Sequence, residues 1–449
     1  MGLMFFPRGG SAQVAQNLAA ALPAHGWEVT VVSGSLRVPG RPGDARRFYT
    51  GQDVRPVDFT AALQAADPLR ADPPFHPSYE DRPGAPDRVM ASVDDATCEH
   101  LVSVWARELA AAGAAEADVL HLHHLTPLNE AAARVAPGVP VVGHLHGTEL
   151  SMLEEIEQDP GRWPCARAWE QRMRRWAQAC ERLVVLSASQ VQRAERLLGV
   201  DPERCVQISN GFDPETFHVR DVDRMAHWRR HLVEEAQGWA PGSEPGSIAY
   251  SEADLAPLAT GAPVLLYVGR FTAVKRVGLL VRGHARAAAS FATPAPLVLL
   301  GGFPGEWEGE HPADAVAATG ARDVFLAGWH GHDELPGFFA ASDAVVLPSV
   351  REQFGQVLVE GMACGLPAIA VDSHGPAEIV EHGRTGWLVE GDDEAGLAGA
   401  LVQAVNDPAE RERRGAAARR DARGRFAWPA LAGEVAGLYA GVARPSLPA

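Results

Sequence analysis

Residues 349–372 read SVREQFGQVLVEGMACGLPAIAVD, and their pattern is that of a parallel α/β unit. The run AVVLPS (344–349) ends a strand, and Glu352 to Phe354 turn the corner. A short helix then runs from about Gly355 to Cys364, and Gly365 and Pro367 close it before the next strand, PAIAVD (367–372). This arrangement puts Glu352 at the carboxyl end of a sheet, where open α/β folds bind ligands. Backbone N–H groups of Phe354, Gly355 and Gln356 point out of the helix start and are disposed to hold an anion. Glu360 lies inside the helix, and its carboxylate can accept two hydroxyl hydrogen bonds, as a ribose diol offers. Taken singly, Glu352 is equally a turn residue and Glu360 equally a solvated helix face.

Outward from this unit the alternation continues in both directions. Upstream in the second half lie PVLLYVG (263–269), PLVLLGG (296–302) and DVFLAGW (323–329). The first half offers GLMFF, EVTVVSG, DVLHLHH, VPVVGHLH, RLVVLS and CVQISN as strands, with a helix from Gln13 to Leu22 that follows Gly9, Gly10 and Ser11. Strands alternating with helical patterns argue for an α/β protein with two Rossmann-like halves. Residues 218–260 mix a charged helical piece with Pro, Gly and Ser and read as a linker or insertion. The expected division is therefore an N-terminal domain at 1–217, the linker at 218–260, a C-terminal domain at 261–425 and a terminal helix at 426–449. Residues 37–88 are too long for a structureless loop in a compact domain, and such loops are usually functional or disordered.

Composition narrows the partners. A chain of 449 residues is too long for one core, and its net charge of −17 disfavours nucleic acid or an anionic membrane surface. An anionic ligand would need a local basic pocket. Cys98, Cys165, Cys180, Cys205 and Cys364 show no CxxC spacing, so neither a disulfide framework nor a cysteine metal site is expected. The opening MGLMFF is too short for a signal segment and no run reaches transmembrane length, which together lead us to expect a cytoplasmic protein without stable membrane insertion.

Lys275 is the only lysine among 40 Lys and Arg residues, and it stands five positions after Arg270 in YVGRFTAVKRVG. Lysine is a compact, mobile point charge and arginine a planar fork, so the two are not interchangeable in a tight site. The histidines form a second cluster: His121, His123 and His124 end one strand candidate, and His144 and His146 the next. Alternation puts His144 and His146 on one face. No cysteine or acidic ligand accompanies them at a recognisable spacing, so a metal site is not expected and most of these imidazoles are expected as hydrogen-bonded packing, His146 excepted.

The frame E-x-F-G-x-x-x-x-E-x-M-A-x-G-x-P, matched by Glu352, Phe354, Gly355, Glu360, Met362, Ala363, Gly365 and Pro367, resembles that of the retaining glycosyltransferases of family 4. The resemblance extends to Gly9-Gly10, to the His146-Gly147-Thr148-Glu149 element, to Asn210-Gly211-Phe212-Asp213 and to Gly269-Arg270 with Lys275. It implies the GT-B fold: two facing Rossmann-like domains with an interdomain cleft, and a terminal helix crossing back to the first domain. It also implies transfer of a sugar, with retention, from a nucleoside diphosphate sugar, UDP-linked by default, to a hydroxyl of a small-molecule, glycan or lipid-linked acceptor. No metal and no cofactor are expected.

In that pattern Arg270 and Lys275 hold the diphosphate, Glu352 the donor sugar and Glu360 the ribose. Gly10 brings backbone N–H groups near phosphates or acceptor, and His146 lies at the donor sugar. Trp329 either borders the base through its backbone or is a core tryptophan. The first domain should bind the acceptor, with Phe75, His76, Tyr79 and Asp81 as candidate surface. Two features depart from the family frame: the long FPGEWEGEHP after PLVLLGG, and Ser373-His374-Gly375 in place of a common Gly-Gly. Alternatives on the same fold are a nucleotide-sugar epimerase and a non-catalytic binding protein. A phosphorylase is disfavoured because Lys275, the one lysine, is already assigned.

Overall fold

The computed structural model describes residues 1–7, 9–38, 43–80, 87–259, 261–304 and 307–443. Among them, thirteen strands build two all-parallel sheets. The first contains β1 (Gly2–Leu3), β2 (Thr30–Ser35), β3 (Asp53–Asp58), β4 (Leu120–His123), β5 (Val141–His144), β6 (Arg182–Val185) and β7 (Cys205–Gln207), in the order β3-β2-β1-β4-β5-β6-β7. The second contains β8 (Leu265–Val268), β9 (Leu297–Leu300), β10 (Val324–Gly328), β11 (Ala344–Leu347), β12 (Ala368–Val371) and β13 (Gly386–Val389), in the order β10-β9-β8-β11-β12-β13. Each sheet has its earliest strand inside and reverses direction of growth beside it, the doubly wound arrangement of a Rossmann domain. The reversal falls between β1 and β4 in one and between β8 and β11 in the other.

The central strands are buried along their whole length, as helices on both faces of a parallel sheet require. The edge strand β3 differs: its sequence DVRPVD alternates in exposure and carries Pro56, which an edge tolerates because its missing N–H faces outward. That strand lies inside the stretch 37–88, whose described residues carry regular elements and buried side chains where we expected a long functional or disordered loop. Tyr49, Phe59, Leu69, Phe75, His76 and Tyr79 are all buried there, and the Tyr79 hydroxyl donates to the Leu125 carbonyl at 2.6 Å.

The chain divides into two units, Met1–Asn210 joined by the segment from Trp428, and Gly211–Ala427. Of the two readings of residues 218–260, the insertion holds and the linker does not, because they belong to the second unit. Helix Arg224–Arg229 and a π-helical turn Arg230–Glu234 are anchored by buried Trp228, Leu232 and Trp239. Gln237 pairs with Gly328, and the Leu326 amide donates to the Tyr250 hydroxyl at 2.8 Å, so this segment covers the outer edge of β10. The Pro, Gly and Ser that read as a linker belong to the turn closed by the Gly238–Ile248 bridge.

In the first unit, helix Trp428–Val442 packs Leu431, Val435 and Tyr439 against Val14, Leu18 and Leu22 of and beside helix Gly10–Ala21. All five cysteines are free thiols. Among the described residues, no helix is long and apolar enough to cross a membrane.

Candidate active site

At the reversal point of the second sheet, two loops are stitched together by their backbones. The Val350 amide and the Ser349 hydroxyl both donate to the Val274 carbonyl, at 3.0 and 3.3 Å. This brings the loop after β8 against the loop after β11. The consequence is an ion pair between Lys275 Nζ and Glu352 Oε2, each side chain only 18% exposed. Arg270 follows β8, is exposed, and forms no ion pair with a described residue. Its carbonyl accepts the Tyr267 hydroxyl at 2.8 Å, and burial together with the nearby Glu352 charge pushes the Tyr267 pKa up, so that hydroxyl stays a donor.

The helix after Glu352 spans Gln356–Ala363, and its N-cap is Gly355 at φ +105°, a backbone only glycine adopts without strain. Gly375 closes the corner from behind: its amide donates to the Glu352 carbonyl at 3.2 Å, and a Cβ there would lie 2.3 to 2.6 Å from Phe354 backbone atoms. The preceding His374 takes φ +50°, which accounts for the Gly-Gly common at this point in the family frame. Phe354 is buried with its ring against Phe426, so its side chain packs, leaving only backbone for a ligand.

Glu360 is a buried carboxylate and not a solvated helix face. It accepts hydrogen bonds from Gln356 Nε2 at 3.0 Å and His332 Nε2 at 2.9 Å, while Gln356 also donates to the Gly211 carbonyl at 2.7 Å. Burial of His332 works against its charged form, and the hydrogen bond and charge of Glu360 outweigh it, so the His332 pKa is raised. His332 was not singled out from the sequence. Its only signal was a histidine shortly after a strand end, and nothing in spacing ties it to a carboxylate 28 positions later. Trp329 is 55% exposed and meets the edge of Phe303, itself 50% exposed, which corrects the reading of Trp329 as a core residue.

In the first unit, Gly9 caps helix Gly10–Ala21 and Gly10 is its exposed first residue. The imidazoles of β4 and β5 form a ladder: His121 Nε2 meets His144 Nδ1 at 3.2 Å, and His123 Nδ1 meets His146 Nε2 at 3.0 Å. Tyr439 hydrogen-bonds His121 Nδ1 from the far end. Burial, reinforced by the neighbouring rings, drives the pKa values of His121, His123 and His146 far down and that of His144 to about 3. His146 is therefore a neutral imidazole, suited to hydrogen bonding and not to donating a proton as a cation. Its backbone N–H points at the buried Glu149 carboxylate, which also takes His124 Nδ1 at 2.9 Å. Burial raises the Glu149 pKa, but His124 and the His146 amide prevail, leaving it lowered.

His121, His123 and His144 also lie close enough to share a metal ion. His121 and His144 hydrogen-bond each other, His123 Nε2 and His144 Nε2 are buried without a partner among the described residues, and no carboxylate joins the group to offset a buried dication. The candidate acceptor residues Phe75, His76 and Tyr79 are buried core and do not present a binding surface. Asp81 lies outside the described residues.

Two family models match in tandem: "Glycosyltransferase Family 4" over residues 8–216 and "Glycosyl transferases group 1" over residues 254–421. Among curated proteins, D-inositol 3-phosphate glycosyltransferase 1 of Catenulispora acidiphila is 29% identical over 330 residues, covering 72% of each chain. Among solved structures, the sucrose-phosphate synthase of Thermosynechococcus elongatus aligns over 98% of both chains at a TM-score of 0.68 and 19% identity. Anabaena HepE in complex with UDP and glucose aligns over the same share at 0.65 and 18%. These two likenesses carry the fold, a pair of Rossmann-like domains of GT-B type. With both family models placed end to end on the two units just described, the chain belongs to glycosyltransferase family 4.

Proposed function

We propose that this glycosyltransferase uses a nucleoside diphosphate sugar, with uridine as the base, and transfers the sugar with retention to a hydroxyl of a small polar acceptor. The observation that carries the proposal is the Lys275–Glu352 ion pair at the reversal point of the second sheet, with Arg270 exposed beside it. Breaking the bond from sugar to diphosphate builds negative charge on the leaving phosphate. Two cations, Lys275 held by Glu352 and the exposed Arg270, together with the start of helix Gln356–Ala363, stabilise that charge, which is the largest single contribution available to such a site. Lys275, held by Glu352, exchanges its carboxylate partner for a phosphate oxygen, and Glu352 is then released to hydrogen-bond the donor sugar. Glu360, fixed by Gln356 and His332, takes the ribose hydroxyls. The leaving phosphate accepts the acceptor proton, so no protein nucleophile and no metal are invoked. UDP in the complex of the similar HepE supports the uridine assignment, and the inositol phosphate in the name of the curated relative supports a polyol phosphate as first acceptor to try.

The test is incubation of the protein with a panel of nucleotide sugars and inositol 3-phosphate, measuring released nucleotide, with and without a chelator, and the anomeric configuration of the product by NMR. Release of UDP dependent on acceptor, with the donor configuration kept, is expected. Epimerised donor without release supports the epimerase, and binding without any turnover supports the non-catalytic reading.

A further inference from the structure

A second group of ligating side chains lies outside the site just described, where the segment that covers the edge of β10 meets the loop after that strand. His231 sits in the π-helical turn Arg230–Glu234, and His330 and Glu334 lie four residues apart in the loop that leads from β10 to helix Leu335–Ala340. One ligating atom from each of the three lies within 4.8 Å of the other two. Both ring nitrogens of His330 face acceptors: Nε2 meets the Ala327 carbonyl at 3.2 Å and Nδ1 meets Glu334 Oε2 at 3.2 Å. A neutral imidazole has one N–H, so one of those contacts lacks a hydrogen. An imidazolium would satisfy both, yet it leaves His231 Nδ1, buried and without a partner among the described residues, still unpaired. A cation between the three groups takes the place of the missing hydrogen at His330 and, bound through Nδ1 of His231, gives that atom its partner.

We propose that His231, His330 and Glu334 bind a divalent transition metal ion of the zinc class, through His330 Nδ1, a ring nitrogen of His231 and the Glu334 carboxylate. The chemistry of the set fits. In a tetrahedral sphere with bonds near 2.0 to 2.1 Å, adjacent ligand atoms stand about 3.4 Å apart, close to the 3.2 Å between His330 Nδ1 and Glu334 Oε2. His330 donates its other nitrogen to a backbone carbonyl, the contact that fixes the tautomer of a ligating histidine. Glu334 supplies the negative charge that the His121–His123–His144 group lacks, and its side chain is 40% exposed, giving the ion a path in. A π-turn re-aims one side chain out of helical register, a device common at binding sites. The ion would clamp the helical segment Arg224–Glu234 to the loop after β10, the loop that also carries His332. This inference does not rest on the proposed donor chemistry.

The full-length protein, stripped with a chelator and titrated with Zn(II), is expected to retain one ion per chain after gel filtration and to gain several degrees in thermal midpoint. Co(II) in its place should give the visible spectrum of nitrogen and oxygen ligation. His231→Ala and Glu334→Gln should each weaken binding at least tenfold, and Glu334→Gln, at a half-exposed position, keeps the fold if His231→Ala does not. His144→Phe, in the other histidine group, should bind as the parent does. Failure of the parent to retain zinc, undiminished binding by Glu334→Gln, or loss of binding in His144→Phe overturns the assignment.

Discussion

Lys275 faces Glu352 in a place where both charges are largely removed from water, so each depends on the other. Replacing Lys275 by Ala should lower sugar transfer at least about a hundredfold, the range seen when one electrostatic stabiliser of a transition state is lost. Lys275→Arg should also be much impaired, since a planar fork does not occupy the space of an ammonium. Circular dichroism should remain that of the parent, and near-normal turnover by both variants removes Lys275 from the diphosphate. Glu360→Ala and His332→Ala should both weaken nucleotide affinity measured by calorimetry, because His332 orients the carboxylate. Unchanged affinity in Glu360→Ala takes it off the ribose. At this scale short spacing gave the positions of these residues: Arg270 and Lys275 in the loop after β8, Glu352 before and Glu360 inside helix Gln356–Ala363. It did not mark His332, whose partner is supplied by the packing of a loop after β10 against a helix.

Elements carry the corner that aims Glu352. Gly375→Ala places a Cβ against the Phe354 backbone and must displace the Glu352 to Gly355 turn. Activity should fall at least about tenfold with a loss of about 1–3 kcal/mol in stability, read by urea denaturation. Gly399→Ala, in helix Glu394–Asn406 where a Cβ meets nothing within 4 Å, should instead stabilise by about 0.5–1 kcal/mol. Opposite signs for two Gly-to-Ala changes are the check; two equal effects would show that close approach is not what Gly375 serves.

The imidazole ladder of β4 and β5 makes a second prediction at this scale. Its histidines have pKa values lowered on folding, so the unfolded chain binds more protons, and the stabilisation is fully present above about pH 6.5 and is lost as pH falls from there toward about 3, the value for His144. Each histidine adds a slope of up to about 1.4 kcal/mol per pH unit in that window. His144→Phe should flatten the acid limb of stability between pH 7.5 and 5, and an unaltered slope refutes the ladder's role. The strands bearing the ladder, within DVLHLHH and VPVVGHLH, were legible as short aliphatic-rich stretches between helical patterns. The edge strand β3 and the segment over β10 were not, because Pro56 in the one and a Gly-Ser turn in the other have the local chemistry of loops.

At the scale of the whole molecule, the first unit is completed only by the segment from Trp428, with the second unit between. Truncation after Phe426 should strip the cover from Val14, Leu18 and Val142, lowering the thermal midpoint of the first unit and raising binding of a hydrophobic dye. A truncated chain as stable as the parent would show that the helix is dispensable. The two Rossmann-like halves were inferable from alternation, whereas the membership of residues 218–260 was not, since it depends on three tryptophan and leucine side chains finding an edge far away in sequence. The discontinuity also sets a clock on synthesis. At about 5–20 residues per second, residues 211–427 take about 10–40 s to emerge after the first unit's last strand. Throughout that interval the newborn first unit has an apolar face, lined by Val14, Leu18 and Val142, still awaiting its final helix, and the second unit is synthesised while its neighbour is unfinished.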